Sequence, residues 1–243
     1  NYPEGKFYPG YSWFKRRKET WNGVDIIRIP LVARGHNSIG LILNYFSFMI
    51  SGFFWKTFTK LKADCVFTFQ LSPIMQALVG VWFANGGRIP HYIYVQDLWP
   101  ESVEIVTGIH NKAIIGAIRK MACYIYRHSK KVLVTSPGFA DIMKDRVDIP
   151  EKVVYWPQYA EEFYYPREKK SVLEIPESKT FKIIFTGNIG FAQGLDILPK
   201  VAKRLREHEM DDVQFVLVGD GRYKEKILEE ISKNDVSDMF IVV

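Results

Sequence analysis

Residues 96–102 read QDLWPES and follow directly on an apolar run, HYIYV, at 91–95. Asp97 and Glu101 therefore sit four apart around a Trp-Pro pair, at the C-terminal end of a predicted strand. A strand that only served a core would end in Gly, Asn or Ser turn chemistry. Ligands of open α/β sheets bind just beyond the carboxyl ends of the strands. A carboxylate there can take the proton of a hydroxyl, or hold that hydroxyl by hydrogen bonds. The same spacing also suits a structural role, with Asp97 as a helix N-cap and Glu101 in the first turn.

Two further strand ends carry glycine. TGNIGFAQG, 186–194, lies between a predicted strand and a predicted helix. Gly187, Gly190 and Gly194 allow close backbone approach, and the following helix offers N–H groups and a positive dipole end to a phosphate. The stretch is neither GxGxxG nor a Walker A loop. GDGR, 219–222, is the second such turn. Gly219 and Gly221 can pass close to a nucleotide there, and Arg222 can meet a phosphate. Both stretches are also compatible with plain tight turns. The five histidines and two cysteines have no metal-ligand spacing, so no metal site is expected.

The elements that must position these residues alternate. Strands are expected at 24–29, 63–69, 92–95, 131–135, 153–156, 181–185, 213–218 and from 240. Helices are expected at 39–55, 73–85, 112–128, 139–145, 195–208 and 224–233. Alternation of this kind predicts an α/β protein with parallel, doubly wound sheets. Residues 1–160 form one expected domain and 179–243 the start of another. The polar stretch 161–178 between them reads as a linker. No internal repeat is present.

With 47% hydrophobic and 25% charged residues, a disordered chain is excluded. Cys65 and Cys123 lie in apolar surroundings, which favours a reducing compartment. The net charge of +6 is concentrated in Lys15, Arg16, Arg17 and Lys18, and in the pairs Lys130-Lys131 and Lys169-Lys170. No basic helix with interleaved aromatics is present, so nucleic acid is not the expected partner. An anionic membrane surface is one. The apolar stretch 39–55, which contains Phe53, Phe54 and Trp55, stands at the lower edge of membrane-spanning length. Asn44, Ser47 and Ser51 mark one helical face of it. It reads as a core helix, an interfacial membrane helix or a span. The chain opens in a Pro/Gly/Tyr loop and closes on a strand just begun, as a fragment of a longer protein would.

QDLWPES, preceded by LNYFSFMISG and followed by FTGNIGFAQGLD and LVGDG, resembles bacterial family-4 glycosyltransferases of the GT-B fold. The likeness is to the branch that builds O-antigen and capsule polysaccharide, including transferases of N-acetyl-L-fucosamine. The resemblance implies two Rossmann-like domains, with the acceptor on the first and the nucleotide-sugar on the second. It implies retaining transfer, without cofactor or bound metal, from a UDP-linked sugar to a sugar on a polyprenyl diphosphate. It also implies a cytoplasmic protein, peripheral on the inner face of the membrane and docked through Lys15–Lys18 and the 39–55 helix. Asp97 and Glu101 match the acceptor-side strand end. Gly187, Asn188, Gly190, Gln193 and Gly194 match the diphosphate loop, and Gly219, Gly221 and Arg222 the nucleoside turn. Asn188 and Gln193 stand where many relatives carry Arg and Lys. The family's first Gly-rich loop is expected before Asn1, and its paired glutamates beyond Val243, so the fragment itself is expected to be inactive. The rival expectation is a non-catalytic, membrane-associated scaffold that needs a partner for its donor site.

Overall fold

The computed structural model describes residues 5–35, 38–103, 110–146, 150–166, 168, 175 and 181–243. Much of the expected linker, with Lys169 and Lys170, lies outside the described residues, as does His36. The chain divides into two units, Asn1–Tyr159 and Ala160–Val243.

The first unit opens with a hairpin. β1 (Lys18–Trp21) pairs antiparallel with β2 (Val24–Ile27). Asn22 and Gly23 both take positive φ, 47° and 80°, as a two-residue turn matched to strand twist requires. Here the sequence reading is corrected. The strand expected at 24–29 ends at Ile27, before Arg28, and Lys18 opens β1 with its side chain exposed.

Helix α1 (Ser38–Phe58) follows, then β3 (Val66–Gln70), α2 (Ala77–Gly87), β4 (His91–Val95), α3 (Lys112–Arg127), β5 (Lys131–Val134), α4 (Pro137–Arg146) and β6 (Val153–Tyr155). Pro73 does not open α2. A short 3-10 turn, Ile74–Gln76, comes first. α2 ends at Gly87, and Arg88 caps it in the left-handed conformation, with φ 53°. The Asn111 side chain caps α3, accepting from the backbone of Ala113 and Ile114 at 3.0 and 3.3 Å.

The sheet is parallel in the order β3-β4-β5-β6. Each strand follows its predecessor in one direction, and right-handed crossovers then put the connecting helices on one face. That face carries the core: Ile93, Val95, Val132, Val134 and Val153 pack with Ile74, Val81, Ile125 and Met143. Among the described elements the expected second winding is therefore absent. The other face is aromatic, with Trp156 5.6 Å from Tyr94 and 6.1 Å from Phe67 between ring centroids. Phe67, Phe69 and Trp156 are each half exposed.

The second unit is a parallel sheet in the order β7-β8-β9: Phe181–Thr186, Val213–Val218 and Phe240–Val242. α5 (Ile197–Glu207) and α6 (Lys224–Lys233) connect the strands. Phe215, Leu217, Ile189, Ala202 and Ile227 form its core. Arg206 clasps both carboxylate oxygens of Asp238 at 2.6 and 2.7 Å, tying α5 to the turn before β9.

Helix α1 is turned against its polarity. Ile39, Ile42, Leu43, Phe46, Ile50, Phe53, Phe54 and Phe58 are exposed, whereas Asn44 and Ser47 point into the protein. Asn44 donates to the Val32 carbonyl at 2.6 Å, and the Ser47 hydroxyl accepts from the Val32 N–H at 2.8 Å. The polar interruptions thus bolt the segment after β2 onto α1. By length and composition α1 is long and apolar enough to cross a membrane.

Candidate functional site

Strand register places the first site. Gln70 pairs with Val95 at the ends of β3 and β4, and the Gln96 N–H donates to the Gln70 carbonyl at 3.0 Å. Asp97 therefore emerges just beyond the carboxyl edge of the sheet. Its Oδ2 accepts from the Ser72 hydroxyl at 2.7 Å, and the Trp99 indole N–H donates to Ser72 Oγ at 3.3 Å. Trp99, Ser72 and Asp97 form a short relay that orients the carboxylate. Among the described residues this, and not an N-cap contact, is the hydrogen bond of the Asp97 side chain. Glu101 opens a helical turn and is half-buried. The peptides Ser72–Pro73 and Trp99–Pro100 are both cis.

Three glutamines that sequence reasoning missed surround this edge. Gln70 is fully buried, with its amide donating to the carbonyls of Leu71 and Asp97 at 3.0 and 3.4 Å. The Gln158 amide donates to Gln96 Oε1, joining the end of β6 to that of β4. Gln70 Oε1 and Gln96 Nε2 are buried with no hydrogen-bond partner among the described residues. A buried amide atom without a partner is costly, and both atoms stand at the carboxyl edge of the sheet. The only sequence signal was position, since Gln70 and Gln96 each stand at the end of an apolar strand.

Beside Ser72 lies a cleft of about 240 Å³, lined by Leu31, Arg34, Tyr45, Ser72 and Gln76. Burial pushes the Tyr45 phenol up from its ordinary pKa, against the nearby Arg34 charge, which pulls it down. Leu31 is also a wall of a second cleft, about 480 Å³, formed by the hairpin's aromatic lead-in with Arg17 and Arg28.

In the second unit the two glycine turns are laced together. Ile189 N–H donates to the Asp220 carbonyl at 2.8 Å, and Gly187 N–H to Val218 at 3.0 Å. A Cβ on Gly219 would stand 2.0 Å from the Gly187 carbonyl oxygen, and one on Gly221 2.2 Å from that of Ile189. These glycines are demanded by the approach of one turn to the other. A Cβ on Gly190 would meet the amides of Asn188 and Gln193 at 2.6 and 2.7 Å, so both amides close over that point of the loop. Gly194 is left-handed, with φ 63°, and ends a 3-10 turn before α5. Arg222 is exposed. Lys224, which the sequence reading passed over, donates its ammonium to the Gly219 carbonyl at 3.3 Å. It brings to the turns a positive charge that Asn188 and Gln193 lack. No group of metal-binding residues occurs among the described residues.

The expected membrane contacts divide. Phe53 and Phe54 face outward, although Phe53 also packs edge-on against Trp82. Trp55 stacks on Phe83 at 5.5 Å. Lys15, Arg16 and Arg17 are exposed beside Trp13, Phe14 and Trp21, the last two 85% and 66% exposed.

No protein-family model matches the chain. It is 25% identical over 152 residues to the probable glycosyltransferase WbjE of Pseudomonas aeruginosa, over 60% of this chain and 36% of that protein. It is 23% identical to the putative colanic acid biosynthesis glycosyl transferase WcaI of Escherichia coli, over 98% of this chain and 60% of that protein. The chain thus spans between about a third and three-fifths of these relatives. Among solved structures it is similar to Anabaena HepE in complex with UDP, with a TM-score of 0.57 and 13% identity over 86% of this chain and 53% of that one. A glycosyltransferase from Rickettsia africae gives a TM-score of 0.56 and 16% identity over 90% and 54%. The fold is that of the GT-B glycosyltransferases: α/β, with parallel Rossmann-like sheets.

Proposed function

We propose that this chain is part of a retaining glycosyltransferase of surface polysaccharide synthesis. It moves a sugar from a UDP-linked donor to a lipid-linked sugar acceptor, in the O-antigen or capsule branch that includes N-acetyl-L-fucosamine transfer. The observation that carries the reading is the Asp97 carboxylate, held by Ser72 and Trp99 at the carboxyl edge of a parallel sheet. The names of WbjE and WcaI and the UDP bound in HepE support it.

In this reading Asp97 orients the acceptor hydroxyl and draws on its proton, with Glu101 beside it in the next turn. On the second unit the turns at 187–194 and 219–222 receive the nucleotide diphosphate. Its developing charge is met by backbone N–H groups, the start of α5, Arg222 and Lys224, without a metal or cofactor. The protein works at the inner face of the cytoplasmic membrane as a peripheral protein. Lys15, Arg16, Arg17 and Lys18 meet anionic headgroups, and Trp13, Phe14, Phe53 and Phe54 enter the interface.

The test is the melting temperature of the 243-residue chain with UDP, GDP, dTDP and CMP. A ligand of the native state raises stability in proportion to the logarithm of its excess over Kd. A rise with UDP alone is expected. No rise with any nucleotide refutes donor binding by this chain and favours a scaffold role.

A further inference from the structure

Helix α3 breaks three rules of helix construction, and none of the breaches serves its own stability. Its first turn carries Lys112 and no acid, against the dipole. It holds four cations, Lys112, Arg119, Lys120 and Arg127, and no carboxylate of its own to pair with them. Gly116 stands inside it, where glycine is a poor helix former. Packing does not ask for that glycine, because a Cβ there would meet nothing within 4 Å.

The breaches share one face. Lys112, Gly116, Arg119, Lys120, Cys123 and Arg127 follow one another at helical spacing, while Ile115, Ala122, Ile125 and Tyr126 are buried. Gly116 and Cys123 form a low floor, with Arg119 on one side and Lys120 and Arg127 on the other. A cavity of about 540 Å³ lies over this floor, and Tyr124 and His128 close its C-terminal end. No carboxylate lines it among the described residues. Arg119 and Lys120 make no ion pair or hydrogen bond among the described residues.

The shape and charge select the occupant. The described walls all belong to α3 and its cap residue, so the cavity is a groove along a helix and not an enclosure. Small-molecule sites bury most of their ligand, which one helix cannot do. The cations run the length of the helix, about 24 Å, which is the footprint of a polypeptide segment. Membrane contacts favour exposed Trp and Phe, as at Trp13 and Phe14. On this face the aromatic is Tyr124, packed on His128 with ring centroids 4.1 Å apart. A flat bilayer does not enter the notch over Gly116, whereas a polypeptide backbone does, and glycine permits that close approach.

We infer that the outer face of α3 is a docking surface for an acidic segment of a partner protein, laid along the helix with its backbone over Gly116 and its carboxylates against Lys112, Arg119 and Lys120. The local rules that α3 breaks are then broken for a partner, as functional surfaces do. The inference does not rest on the glycosyltransferase reading.

The experiment follows the fluorescence anisotropy of a labelled helical peptide of glutamate, leucine and alanine, about 16 residues long to match α3, titrated with the 243-residue chain. Saturable binding that weakens with added salt is expected. Arg119→Glu together with Lys120→Glu should weaken it about tenfold or more, because two attractions become repulsions. Gly116→Leu should also weaken it, while the urea midpoint holds or rises, since leucine is the better helix former and its Cβ meets nothing. Lys203→Glu, the same charge change on an exposed position of α5, should bind as the parent does. A peptide with lysine in place of glutamate should not bind. Equal loss of affinity in Lys203→Glu overturns the inference, since net charge alone then explains the binding. Absence of saturable binding overturns it too. So does binding of phosphatidylglycerol vesicles or duplex DNA through Arg119 and Lys120 when the peptide fails. Gly116→Leu that binds as tightly as the parent overturns the placement of the partner's backbone.

Discussion

His91 sets a pH limit on the sheet that delivers Asp97. It starts β4 at the end opposite the site and is buried. Ser129 Oγ donates to the Ile125 carbonyl at 2.9 Å, so at 2.9 Å it accepts from Nδ1–H of His91. Nε2, 2.8 Å from Thr68 Oγ1, is left as the acceptor. The ring thereby ties β4 to β3 and to the end of α3 in its neutral form, which burial favours. Burial lowers its pKa from the ordinary 6.5 to about 4. The unfolded chain therefore takes up a proton near pH 6.5 that the folded chain refuses until about pH 4. The stability contribution is complete above pH 6.5 and is lost as pH falls toward 4. At about 1.4 kcal/mol per pH unit, about 2 kcal/mol is gone by pH 5 and about 3 kcal/mol by pH 4. The assay is urea unfolding of the parent and of His91→Gln at pH 7.5, 6 and 5. Carboxylates common to both cancel in the difference. The parent's advantage should shrink by about 2 kcal/mol between pH 7.5 and 5. Parallel pH profiles would refute the argument, because a histidine that protonates equally in both states contributes no slope.

Three further outcomes follow from the same geometry. In a catalytically complete protein, Asp97→Asn should lower kcat/KM by about 10²-fold or more with little change in melting, and Ser72→Ala by a smaller factor, since it only releases the carboxylate; normal turnover with altered melting would make Asp97 structural. Gly221→Ala drives a Cβ into the Ile189 carbonyl and should destabilise the second unit by about 1–3 kcal/mol while weakening UDP binding; an unchanged urea midpoint would show that the two turns are not laced as described. Asn111→Ala removes the cap of α3 and should cost about 1 kcal/mol in urea unfolding, without effect on nucleotide binding.

Much of the fold was legible because strand and helix periods, and the turn residues between them, are local properties. β4, β8 and α6 begin and end within a residue of expectation, since Pro, Gly and charged residues punctuate apolar runs there. The β1–β2 hairpin was also written locally, in Asn22-Gly23, whose residue types suit the positive φ of a two-residue turn. The outward face of α1 was not readable, because periodicity defines two faces and not which of them meets the protein. The winding of the first sheet depended on strand order, which alternation alone leaves open.

By itself, the sequence determined the α/β class, the strand ends that bear Asp97 and the glycine turns, and the neutral amides at Asn188 and Gln193. These follow from residue type and short spacing. Only the tertiary structure decided that Ser72, 25 residues away, orients Asp97. It also decided that Gln70, Gln96 and Gln158 meet at one sheet edge, that Gly219 and Gly221 serve one turn's approach to the other, and that Leu31 lines two separate clefts. Each of these is a contact between segments far apart in the chain. Parallel register and crossover handedness bring them together, and neither is encoded in any single stretch.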